Sequence, residues 1–99
     1  MPQVLGYAVI GPNGLQASSG VIHVEHADVG NWHIYFDFNA GTMIQIASIA
    51  QFETAGWIAA YGEPGTLGAN EVTVDTGKIV GPDPGSIRTD LVFQLAIIG

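Results

Sequence analysis

The sequence predicts an all-β fold, an antiparallel β-sandwich of about seven strands, and three observations carry that prediction. Fourteen glycines and five prolines are spread along the chain rather than gathered into one linker, so they cut it into short segments. Those segments are rich in Val, Ile, Tyr, Phe and Trp, the residues that fit a pleated, half-buried surface. No segment offers a capped run of about 10 to 12 residues with apolar side chains at helical spacing. A jelly-roll-like arrangement or a small barrel is the alternative within the same class. The 99 residues amount to a single domain, 1–99.

The first strand covers residues 4–10 and stops at Gly11-Pro12-Asn13-Gly14, where proline fixes φ and glycine tolerates positive φ. A second strand covers 21–26 and a third 32–38. The connection Ala27-Asp28-Val29-Gly30-Asn31 is short enough for a hairpin. In the stretch 43–60, Ala47, Ala50, Ala55 and Ala59 favour helix, but Ile44, Ile46, Ile49 and Gly56 do not fall on one helical stripe. It therefore reads as two strands, 43–51 and 57–61. A glycine-rich loop, 62–70, leads to a sixth strand at 71–76. A second loop, 77–90, carries Gly-Pro-Asp-Pro-Gly at its middle, and the last strand covers 91–98.

Alternation assigns faces. Trp32, Ile34, Phe36 and Phe38 share one side of the third strand, and His33, Tyr35 and Asp37 the other. Keeping apolar faces together pairs Val24 with Ile34 and Ile22 with Phe36, which sets Glu25 opposite His33 and His23 opposite Tyr35. Val72 and Val74 point inward, leaving Glu71, Thr73 and Asp75 in water. Leu91, Phe93, Leu95 and Ile97 form the core side of the last strand. Three strands are apolar on both sides. The first has Val4, Ala8 and Ile10 against Leu5, Tyr7 and Val9. The fourth has Ile44 and Ile46 against Met43, Ala47 and Ile49, and the last adds Val92, Ala96 and Ile98 behind its core side. Strands apolar on both sides are buried on both sides. The expected oligomer interface is accordingly Leu5, Tyr7, Val9, Met43, Ile49, Val92 and Ile98.

Charge narrows the function classes. Nine acidic residues against Lys78 and Arg88 give a formal charge of −7, while 47% of residues are apolar and only 11% charged. Two basic residues cannot release the counterions that phosphate-backbone binding requires, and the acidity disfavours an anionic membrane surface. No apolar run is long enough to span a bilayer as a helix, and residues 1–7 show no signal-peptide pattern. The chain has no cysteine, hence no disulfide or thiolate site. An ordinary soluble domain is about one-quarter charged. The shortfall here points to surface hidden against other chains.

The pieces Gly6-Tyr7-Ala8-Val9-Ile10, Gly20-Val21-Ile22-His23-Val24, Gly30-Asn31-Trp32-His33-Ile34-Tyr35-Phe36 and the closing Asp90-Leu91-Val92-Phe93-Gln94-Leu95-Ala96-Ile97-Ile98-Gly99 span almost the whole chain. This pattern resembles the small C-terminal β-modules of phage tail-fibre and host-attachment proteins and of related bacterial surface proteins. The resemblance implies a β-sandwich head or cap, often trimeric and without catalysis, on a virion or extracellular surface. The chain departs from it by opening at a Met with no stalk or coiled-coil segment before it.

Four groups of residues bear on chemistry. His23, Glu25 and His33 share a sheet face and could hold a transition metal; the competing reading is a solvated face where Glu25 pairs with His33 and makes any assembly that buries the pair pH-sensitive. His26 falls on the core side near a strand end, as a hydrogen-bonded structural histidine. Asp75, Asp83 and Asp90 offer oxygen ligands near the second loop but lack the dense spacing of a calcium loop. Ser18, Ser19, Ser48 and Ser86 sit in no nucleophile elbow, and no phosphate-binding glycine loop occurs. Trp57, Tyr61 and Tyr35 could stack on sugar rings, against which stands their use as core or interface anchors. The expectation is a non-enzymatic structural or attachment module that forms a homo-oligomer, with a trimer favoured by the resemblance and no cofactor. A carbohydrate-binding module is the alternative, contacting a cell-surface glycan, and a small metal-dependent enzyme is the weaker one.

Overall fold

The computed structural model describes residues 3–50, 55–62, 69–82 and 85–99. Nine strands occur among them: β1 (Val4–Gly11), β2 (Gly14–Ser19), β3 (Val21–Asp28), β4 (Asn31–Phe36), β5 (Ile44–Ile49), β6 (Gly56–Tyr61), β7 (Glu71–Ile79), β8 (Ser86–Arg88) and β9 (Phe93–Ile98). A short 3-10 turn, Ala40–Thr42, precedes β5. The strands form two antiparallel sheets packed as an open sandwich rather than a closed barrel. Sheet A has the order β2-β1-β9-β5, and sheet B has β3-β4-β7-β6, with β8 pairing with the end of β7. Gln51, the 65–68 glycine cluster and Asp83 lie outside the described residues.

The seven expected strands are present, and β2 and β8 are additional. Neither carries an apolar alternation: β2 reads Gly-Leu-Gln-Ala-Ser-Ser and is an exposed edge, and β8 is three exposed residues. The Pro12-Asn13 turn folds β2 back on β1, pairing Gly11 with Gly14, and Gly14 takes φ 108°, a conformation open to glycine.

The core lies between the sheets. Ala8, Ile10, Phe93, Leu95 and Ile97 from sheet A meet Trp32, Ile34, Phe36, Val72 and Val74 from sheet B, all buried. Leu91 is buried too, and Phe38 packs against the cluster from beyond the end of β4.

The β3–β4 register follows the apolar alternation: Val24 pairs with Ile34, Glu25 with His33 and His23 with Tyr35. Ile22 does not pair with Phe36. A bulge between Val21 and His23 gives that place to Val21, and Ile22 is left exposed. In β5 the expected faces are inverted. Pairing with β9 sets Ala47 against core-facing Leu95 and Ile46 against Ala96, so Ile44 and Ile46 face outward while Met43 and Ala47 pack on the core. A bulge between Val4 and Gly6 likewise sends Val4 outward opposite Ile98.

The expectation that Glu71, Thr73 and Asp75 lie in water is corrected. Residues 71–77 of β7 are buried on both faces. This strand is flanked by β4 and β6, whose outward side chains reach over it.

Candidate functional site

Sheet A carries no charge: none of the nine acidic and two basic residues falls in β1, β2, β5 or β9. Its inner side builds the core, and its outer side is uncharged, with apolar rows on either side of Ala96 and Ile98 and a polar pair, Gln94 and Ser48, beside Val9. Tyr7 pairs with Ala96 and Ala96 with Ile46; Val4 pairs with Ile98 and Ile98 with Ile44. Small Ala96 between two large neighbours leaves a shallow trough of about 460 Å³ along β9, floored by Ala96 and walled by Tyr7, Val9 and Ile46. Within it the Gln94 amide donates to the Ser48 hydroxyl at 3.2 Å, so these two polar side chains are paired inside one chain. Ile44 is 64% exposed and Ile46 56%.

Of the expected interface residues, Tyr7, Val9 and Ile98 lie on this outer surface. Leu5 is the extra residue of the β1 bulge and lies close to Gly99. Met43 packs against the core instead. Ile49 pairs with core-facing Phe93 and reaches toward Gly56 of β6. Val92 precedes β9 and lines a cleft at the end of the sandwich. Val4, Ile44, Ile46 and Ala96 take the places of the displaced residues. Alternation could not have found them, because both sides of these strands are apolar and only the cross-strand partner distinguishes inside from outside.

Sheet B is the opposite in character. Its outer side gathers Tyr35, Tyr61 and Trp57 with the acids of β7. The Asp75 carboxylate accepts from Asn31 Nδ2 at 2.6 Å, Arg88 Nη1 at 3.0 Å and the Tyr61 hydroxyl at 2.9 Å. Burial alone would raise the Asp75 carboxyl, but these three donors outweigh it and hold it below the ordinary aspartate range. His33 Nδ1 lies 2.7 Å from Glu71 Oε1 and 3.2 Å from the Thr73 hydroxyl. The Tyr35 phenol is raised, first by burial and then by its hydrogen bond to Glu71. The Trp57 indole covers the α-carbon of Gly77, so one ring face is spent on the sheet itself, and its buried N–H has no hydrogen-bond partner among the described residues.

Thus the structure brings His33 to Glu71, a residue outside the expected ligand set, while His23 leans on the Tyr35 ring at 5.4 Å. Among the described residues no group of three or more His, Asp or Glu is arranged to hold a metal ion, and the set His23, Glu25 and His33 does not form one.

The end cleft, about 920 Å³, is lined by the Gly11–Gly14 turn, Trp32, His26 and Asp90. Asp90 Oδ1 is 2.8 Å from His26 Nε2 and accepts from the Gly30 amide at 2.7 Å. His26 stacks on Trp32 at 3.9 Å with rings nearly parallel. The expected hydrogen-bonded histidine is therefore there, fixed by Asp90 and half-exposed at the cleft.

No family model, curated protein or solved structure matches the chain.

Proposed function

We propose that this chain is a non-enzymatic structural module that works by self-association through sheet A, in the manner of a fibre head or host-attachment domain. The observation that carries the reading is charge segregation. An acidic chain keeps every charge off one of its two sheets, and the outer side of that sheet is apolar apart from the Gln94–Ser48 pair and Ser19 at the β2 edge. Exposed apolar residues elsewhere, such as Ile79 and Ile87, alternate with Lys78 and Arg88. Contiguous apolar surface of this kind marks an interaction site. The trimer is what the resemblance adds. Light scattering between about 1 and 200 μM tests the reading. A mass that is a multiple of 10.3 kDa is expected, and a monomer throughout that range refutes it. Raising salt screens the net negative charge and is expected to tighten the assembly.

A second reading, glycan binding, rests on Tyr35, Tyr61 and Trp57 sharing the outer side of sheet B, opposite Glu71, Thr73 and Gly77 of β7. A glycan array with Trp57→Ala as control tests it, and equal signal from both proteins removes it.

A further inference from the structure

We infer that the occupant of the trough on sheet A is the same trough of a second copy, giving a two-fold, face-to-face pair of sandwiches; this rests on the self-association proposed above and sets a dimer in place of the trimer that the resemblance implies. Three features support it. The first is electrostatic. Every charge on the strands sits on β3, β7 or β8 of sheet B. Packed sheets lie about 10 Å apart, so stacking A on A holds the two acidic sheets about 30 Å from each other. That is several Debye lengths at physiological salt, about 8 Å each, so the strand charges of one copy are screened from those of the other. Contact through sheet B would instead bring Glu25 and its neighbours in one copy against the same acids in the other.

The second feature is shape. The Ile46 ridge and the Ala96 floor are adjacent in register, so a two-fold axis between β5 and β9 puts Ile46 of each copy over Ala96 of the other. An isologous contact needs such a self-complementary pair. The third is polar pairing: the Gln94 amide donates to the Ser48 hydroxyl within one chain, so this bond persists when the faces close.

Sedimentation equilibrium on the full chain, with thermal melting as the check on folding, tests the inference. The unaltered chain is expected to be a dimer at tens of micromolar. Ile46→Glu, which meets the partner surface twice in a two-fold pair, is expected to raise the dimer dissociation constant at least a hundred-fold. Ile44→Glu, at a more exposed position, is the substitute if Ile46→Glu fails to fold. Ser18→Lys on the edge strand β2 is expected to change dissociation less than three-fold. A trimer, a dimer indifferent to both glutamates, or one broken by Ser18→Lys overturns the face-to-face pair while leaving self-association standing. A monomer at every concentration overturns both.

Discussion

Removing the Asp75 carboxylate is the sharpest test of how sheet B is held together. Asp75 is 8% exposed and is the shared acceptor for Asn31, Tyr61 and Arg88. A hydrogen bond to a charged acceptor contributes roughly 1.5–3 kcal/mol, and deleting the acceptor charges the desolvation of its donors to the folded state. The Arg88 side chain is 52% exposed, so its ion pair is screened and adds about 0–1 kcal/mol. Asp75→Ala is therefore expected to cost about 2–4 kcal/mol, dominated by the Asn31 and Tyr61 bonds. Asp75→Asn, which keeps one acceptor oxygen, is expected to cost about half as much. Urea unfolding at pH 7 and at one fixed protein concentration, because assembly contributes to stability, reads both values.

The same carboxylate carries a pH signature. Its value in the folded state lies below the ordinary aspartate value of about 4. Its contribution is thus complete above that ordinary value and is lost as pH falls through the lowered one. Both variants are expected to show a shallower loss of stability in acid than the unaltered chain. An Asp75→Ala protein within about 1 kcal/mol of the original, with the same acid slope, would refute the reasoning.

Other substitutions probe single contacts. Gly77→Ala places a methyl in the space of the Trp57 indole, so the ring must leave the sheet. A loss of about 1–3 kcal/mol and a red shift in tryptophan emission are expected. Gly30 has φ 66°, and a side chain there meets the Thr76 carbonyl oxygen. Gly30→Ala combines left-handed strain with a backbone collision and is expected to cost at least about 2 kcal/mol by urea unfolding. The raised Tyr35 phenol is expected to appear as a late component of the ultraviolet titration at alkaline pH, and Tyr35→Phe to remove it. Because that value is raised, the associated stability is whole below the ordinary phenol range and falls as pH climbs through the raised one.

The legible parts of this fold share a physical property. In β3 and β4 polar and apolar residues alternate cleanly, so only one register keeps Val24 and Ile34 inside, and Glu25–His33 and His23–Tyr35 follow from it. Where both sides of a strand are apolar, that information is missing. Ile44 and Ile46 on one side and Met43, Ala47 and Ile49 on the other are all apolar, so polar-apolar alternation does not say which side faces the core. The bulges at Leu5 and Ile22 are similarly silent, since one extra residue exchanges faces without changing composition. The His33–Glu71 contact joins strands distant in sequence, so the adjacent hairpin offered Glu25 as the partner instead.

The sequence by itself determined the all-β class, the β3–β4 pairs Val24–Ile34, Glu25–His33 and His23–Tyr35, and the inward residues of β9. Those properties are written in turn residues and in alternation, which act over a few positions along the chain. Only the tertiary structure decided that the uncharged segments β1, β2, β5 and β9 form one sheet and that Glu71 and Asp75 are buried among side chains from β4, β6 and β8. It also turned Ile44 and Ile46 toward solvent. The reason is that a strand's inside and outside, and the company its side chains keep, are set by hydrogen-bonded neighbours remote in the chain: β9, between β1 and β5, fixes the outer face of sheet A.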